Sequence, residues 1–145
     1  MKIRRIDHLG IVVQDLPAAK AFFLDFGLQM EGEGKAEGEW VDRIVGLHDV
    51  DVDYVMLQTP DGEAKIELIK FNRPPEEKGL QGPPANTLGM RHIAFVVEDI
   101  EALVAKLEKK GAELFGEIVN YENVYKLCYV RGPEGIILEL AEEID

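Results

Sequence analysis

Two histidines and two glutamates of this 145-residue chain stand at matching places, and their side chains are of the kinds that hold a divalent cation. His8 lies in "IDHLGIVV" and His92 in "MRHIAFVV", while Glu67 lies in "KIELI" and Glu139 in "IILEL". All four sit among aliphatic residues. A carboxylate in such surroundings is costly unless it is paired or metal-bound, because low dielectric disfavours the ion. Two imidazoles and two carboxylates suit Zn²⁺, Ni²⁺, Co²⁺, Mn²⁺ or Fe²⁺, with water completing the shell. Taken singly, a strand histidine is ordinarily a hydrogen-bonded core or rim residue, and a strand glutamate ordinarily faces water. The case for a shared cation rests on their recurrence.

That recurrence is an internal duplication. His92 follows His8 by 84 residues, as Asp99 follows Asp15 and Gly111 follows Gly27. Later in each half, Pro60-Asp61-Gly62 matches Pro133-Glu134-Gly135 at an offset of 73, and Glu139 follows Glu67 by 72. A repeat of this kind marks one supersecondary unit used twice. Alternation along a strand puts His8 on one face with Gly10 and Val12, and His92 on one face with Ala94 and Val96. The small Gly10 and Ala94 leave room beside each ring.

Each half reads strand, helix, strand, strand. A first strand over residues 4–13 runs into a helix capped by Asp15, with Ala18, Ala19, Phe22, Phe23 and Phe26 at helical spacing and Gly27 as its stop. The second copy has a strand over 91–97, a cap at Asp99, apolar Ile100, Leu103, Val104 and Leu107, and a stop at Gly111. The strands "DVDYVMLQ" and "AKIELIKF" flank one Pro-acid-Gly turn, and "YKLCYV" and "GIILELAE" flank the other. A further short strand is expected around 28–33 and around 113–119. The Pro- and Gly-rich "NRPPEEKGLQGPPANTLG" reads as a connector. The fold class is therefore α+β, in one domain: a module over 1–72, a connector over 73–89 and a second module over 90–145.

Composition is that of a soluble globular chain, 46% hydrophobic and 30% charged. No apolar run approaches the length of a membrane span and no signal peptide is evident. The lone cysteine, Cys128, excludes an internal disulfide, which makes the cytoplasm the expected compartment. A net charge of −12 repels phosphate backbones and anionic membranes, leaving a small molecule as the expected partner.

The paired "DHLGIVV" and "RHIAFVV" openings, with "KIEL" and "ILEL" closings, resemble the vicinal oxygen chelate superfamily, home of glyoxalase I, methylmalonyl-CoA epimerase, extradiol dioxygenases and the fosfomycin and bleomycin resistance proteins. The resemblance covers nearly the whole chain. It implies two βαββ(β) modules whose strands make an open, curved mixed sheet, a glyoxalase-like cup, and a homodimer. By position it implies His8, Glu67, His92 and Glu139 as metal ligands, the His-Glu-His-Glu set of glyoxalase I. The implied activity is that of a metal-dependent isomerase, epimerase or lyase transferring a proton next to a carbonyl or thioester, with Glu139 as the base and Asp53, in "DVDYVML", as the candidate second acid. Alternatives are an extradiol-type dioxygenase, against which the fourth protein ligand argues, and a non-catalytic binding protein of the resistance type.

Other residues read as ordinary. His48 lies beside a turn, Cys128 is a small apolar strand residue, and "GEGKAEG" lacks the spacing of a phosphate loop and reads as loop glycines. Trp40, Arg43 and Ile44, in "GEWVDRIVGLHDV", fit either the mouth of the cup or the packing of a short helix.

Overall fold

A computed structural model describes residues 1–76, 78–79 and 81–145. Its strands are hydrogen-bonded into two mixed sheets, one in each of two compact units, Met1–Gly79 and Leu80–Asp145. The mixed α+β class expected from the duplication is what the chain adopts.

In the first unit the order along the chain is β1 (Leu9–Val12), α1 (Leu16–Phe26), β2 (Gln29–Glu37), α2 (Glu39–Val45), β3 (Asp51–Gln58) and β4 (Lys65–Arg73). The sheet order is β1-β4-β3-β2, with β1 parallel to β4 and the remaining pairs antiparallel. Asp15 caps α1 by accepting the Ala18 N–H at 3.0 Å, and Gly27, at φ 129°, ends it. α1 packs on β3 and β4, where Val55, Leu57, Ile66 and Leu68 are buried together with Ala19 and Phe23. Burial of these side chains, at about 1.5–3 kcal/mol each, is what holds the helix to the sheet. The opposite face of the sheet carries α2, whose Val41 packs with Val50 and Val52 against Ala36, Ile69 and Phe71. The segment "GEWVDRIVGLHDV" is thus a short helix and its exit, with Trp40 and Ile44 exposed.

The second unit runs β5 (His92–Val96), α3 (Ile100–Lys109), β6 (Glu113–Leu114), β7 (Val119–Tyr121), β8 (Tyr125–Arg131) and β9 (Ile137–Glu143). Its sheet order is β5-β9-β8-β6, with β7 also paired to β8 and β5 parallel to β9. Asp99 caps α3 through Ala102 N–H at 3.2 Å, and Glu142 accepts the Ile100 N–H at 2.7 Å. Ile100, Val104 and Leu107 of α3 are buried, as are Cys128, Val130, Leu138 and Leu140 of the sheet. The Cys128 thiol is pushed up to about 11 by that burial, which leaves it unreactive.

Three local expectations change. The first strand starts at Leu9 instead of residue 4, so His8 stands just ahead of it. The "GEGKAEG" run is not a loop: it lies in or directly beside the nine-residue β2. Gly34 is there for space, since a Cβ at that position would lie 2.8 Å from the Tyr54 hydroxyl across the sheet. The strand expected over 113–119 is two short pieces, β6 and β7.

Candidate metal centre

The parallel register of β1 on β4 sets Gly10 beside Glu67, and that of β5 on β9 sets Ala94 beside Glu139. Paired residues in a ladder point to the same face, so each histidine, two residues before its Gly or Ala, shares a face with its glutamate. The side chains meet there. His8 Nε2 lies 3.4 Å from Glu67 Oε1, and His92 Nε2 lies 3.2 Å from Glu139 Oε1. Each unit therefore brings together one imidazole and one carboxylate through the same ring nitrogen. Among the described residues, and apart from its chain neighbours, a Cβ at Gly10 would meet only Ile69 Cδ1 within 4 Å, at 3.8 Å.

The pairs are reachable without being loose. The histidine side chains are 35% and 37% exposed and the glutamates 22% and 24% exposed, enough for a ligand to enter yet little water to shield the carboxylates. Supporting contacts differ between the halves. His8 Nδ1 is 2.8 Å from Asp7 Oδ2, which fixes the ring so that Nε2 is the nitrogen left for a ligand. His92 Nδ1 instead faces the Tyr129 hydroxyl at 3.4 Å, with the two rings 4.9 Å apart. Tyr129 stands opposite Glu139 on β8, and Met56 stands opposite Glu67 on β3. Burial, with the nearby Glu139 charge and a hydrogen bond to that carboxylate, holds the Tyr129 phenol above its ordinary value. The hydroxyl thus stays a donor. Tyr129 was not singled out from the sequence, although its offset of 73 from Met56 marks where the two halves differ on the face of interest.

The donor set fits a borderline divalent cation. Imidazole nitrogen next to carboxylate oxygen, twice over, is the combination such ions take, and each carboxylate sits among buried aliphatics with a cationic partner only if its histidine is protonated.

Asp53 is not brought to the His8–Glu67 pair. It faces Lys70 across the ladder while Glu67 faces Met56, and three residues of unbroken register separate Asp53 from Met56, so Asp53 points to the opposite side of the sheet from Glu67. Lys35 Nζ at 2.8 Å and Asn72 Nδ2 at 3.0 Å donate to it, and these bonds hold its carboxyl below the usual carboxylate range. β3 pairs with β4 in unbroken register from Val52 to Gln58, and that long-range pairing, which the local sequence does not encode, sets Asp53 on the face opposite Glu67.

Among the described residues, one group of three acids could also hold an ion, Asp99, Glu101 and Glu142 at the start of α3. Lys126 lies 3.0 Å from Glu101 and 3.8 Å from Glu142, and backbone N–H groups of α3 occupy Asp99 and Glu142. These acids already have partners and contain no imidazole.

Comparison with known proteins agrees with the fold. Residues 7–129 match the glyoxalase/bleomycin resistance protein/dioxygenase superfamily. The crystal structure of a glyoxalase family protein from Bacillus cereus is 47% identical and covers 100% of this chain and 97% of its own, with a TM-score of 0.96. The uncharacterized protein YaeR of Escherichia coli K12 is 30% identical over 144 residues, covering 97% of this chain and 98% of itself. Mouse mitochondrial methylmalonyl-CoA epimerase is 32% identical over 113 residues, 75% of this chain and 54% of that protein.

Proposed function

The chain belongs to the glyoxalase/bleomycin resistance protein/dioxygenase superfamily, and from that premise we propose that it is a divalent-metal-dependent isomerase, epimerase or lyase that moves a proton next to a carbonyl or thioester. The observation that supports this reading is repetition: the same imidazole nitrogen meets a half-buried carboxylate at equivalent positions of both units. In the proposal His8, Glu67, His92 and Glu139 together hold one ion of zinc, nickel, cobalt, manganese or iron. When bound, such an ion supplies Lewis acidity toward a substrate carbonyl.

The protein's own groups do the rest. Glu139 takes the proton adjacent to the carbonyl and returns it. The Tyr129 hydroxyl donates to the same carboxylate, orienting it and holding it in place while it is unprotonated. Asp7 keeps the His8 ring fixed, and Gly10 and Ala94 leave the space a substrate needs. Glu67, faced by apolar Met56, lacks the hydroxyl that orients Glu139, which makes Glu139 the better positioned of the two to take a proton. Asp53, behind the sheet, is left out. A two-base epimerisation would then draw its second acid from Glu67, whereas a proton shift along one face needs Glu139 alone. The epimerase relative fits the first and is consistent with either. The same reading takes the protein as a cytoplasmic homodimer acting on a small molecule; among the described residues no helix is long and apolar enough to cross a membrane.

The test is proton exchange. Metal-reconstituted protein in D₂O is incubated with a panel of 2-oxo compounds and acyl thioesters and followed by proton NMR. Deuterium should enter next to the carbonyl of at least one compound, and Glu139→Gln should slow this by roughly 100-fold or more. A metal-loaded protein that exchanges no member of the panel would overturn the reading.

A further inference from the structure

Arg131 is the next residue along β8 on the face that carries Tyr129, His92 and Glu139. Its guanidinium is held from three directions. Nη2 donates to Pro83 O at 2.8 Å, Nη1 donates to Gly135 O at 3.3 Å, and the carbon between them lies 4.7 Å from the centre of the Phe115 ring. Phe115 meets Tyr129 edge-on at 6.3 Å, and Tyr129 meets His92 at 4.9 Å, so one track of side chains runs from Arg131 to the His92–Glu139 pair. What the guanidinium does not have is an acid. Lys20, Lys35, Lys65, Arg73 and Lys126 each pair with a carboxylate, whereas Arg131, like Lys70 and Arg91, pairs with none among the described residues. What sets Arg131 apart is that its guanidinium is nonetheless immobilised, by two carbonyls and a ring, in a chain with twenty-eight acidic and sixteen basic residues.

A half-buried charge without a counter-ion is costly, and two backbone carbonyls do not require a full charge. They use two of the five N–H donors and leave the others, already immobilised, for a carboxylate. We propose that Arg131 anchors a carboxylate of the substrate, so that the compound acted on is an oxo acid or a carboxyl-bearing acyl thioester. The proposal rests on the reading of the His92–Glu139 face as the reaction site. Two positions along a strand span about 6.6 Å, so the anchored carboxylate sits a few carbons from the reacting carbonyl. An anchored cation also answers a difficulty of the composition: a surface of net charge −12 disfavours an anionic substrate unless a local cation receives it.

The experiment compares 4-oxopentanoate with its uncharged methyl ester, titrated calorimetrically into zinc-reconstituted and metal-free protein, wild type and Arg131→Gln. Wild type should bind the acid about tenfold more tightly than the ester, and Arg131→Gln should bring the acid down to the ester while zinc content and ester affinity stay unchanged. Equal binding of acid and ester by wild type, or undiminished acid binding by Arg131→Gln, would overturn the proposal. Arg131 also ties Pro83 to the Pro133–Gly135 turn; should Arg131→Gln fail to fold, the wild-type ratio decides alone, a preference for the acid that collapses in high salt supporting the anchor and a ratio near one overturning it. If wild type takes up no zinc, the metal reading fails by itself, and the acid-to-ester ratio of the metal-free protein still decides the role of Arg131.

Discussion

Replacing Glu139 by glutamine separates what this carboxylate does for the fold from what it does for a cation. The side chain is 24% exposed and lies in β9 between Leu138 and Leu140, both fully buried. Desolvating a carboxylate to that degree costs several kcal/mol, which His92 at 3.2 Å and the Tyr129 hydroxyl offset only in part, leaving a net cost of about 1 kcal/mol in the metal-free protein. Glutamine has the same shape and can keep both contacts without the charge. Metal-free Glu139→Gln should therefore be more stable than wild type by about 1 kcal/mol, or roughly 3 °C in melting temperature for a chain of this size. Zinc at a hundred times its dissociation constant should then stabilise wild type by about 2.7 kcal/mol, and stabilise the variant far less because one ligand is lost. The order of the two melting temperatures, read by differential scanning fluorimetry, should reverse between EDTA and zinc. A variant that melts below wild type in EDTA, and shifts as far as wild type in zinc, would show that Glu139 is a structural residue and refute the reasoning.

Three further outcomes follow from the same geometry. The Lys35 and Asn72 bonds lower the folded-state pKa of Asp53 below its unfolded one, so the stability they confer is present above the unfolded value near 4 and is lost as pH falls through the folded value. The difference between wild type and Asp53→Asn in urea midpoint should accordingly be constant from about pH 5 to 8 and shrink below about pH 4, and zinc uptake by Asp53→Asn should equal that of wild type. Gly62 and Gly135 occupy equivalent turns at φ 74° and 80°, but a Cβ would meet open space at Gly62 and lie 2.9 Å from Gly82 N at Gly135. Gly62→Ala should cost about 1 kcal/mol and Gly135→Ala about 2 kcal/mol or more, measured by urea denaturation; equal costs would show that the contact with Gly82 is not tight. Tyr129→Phe should leave zinc content unchanged and slow proton exchange by roughly tenfold, whereas unchanged exchange would remove Tyr129 from the site.

The duplication made the α+β frame and both imidazole–carboxylate pairs legible, because apolar periodicity, cap residues and two offsets recur together. Parity along β1 and β5 was enough to put His8 with Gly10 and His92 with Ala94, since neither strand is interrupted. The side taken by Asp53 was less legible, because it is set by the register of β3 on β4, a long-range pairing that "DVDYVML" does not encode. The start of β2 was expected around 28–33, but its second half read as loop because glycine alternates there with charge instead of apolar with polar, and only the cross-strand ring of Tyr54 explains Gly34. Tyr129 and Arg131 were overlooked as ordinary strand residues; their relevance comes from register with β9, a long-range pairing that local pattern does not encode.

The most direct measurement is X-ray absorption at the zinc edge of protein reconstituted with one equivalent of zinc. Two imidazoles and two carboxylate oxygens are expected around each ion, falling to one imidazole in His8→Ala. A spectrum with no imidazole scattering, as binding at Asp99, Glu101 and Glu142 would give, contradicts the assignment of His8, Glu67, His92 and Glu139 to a metal.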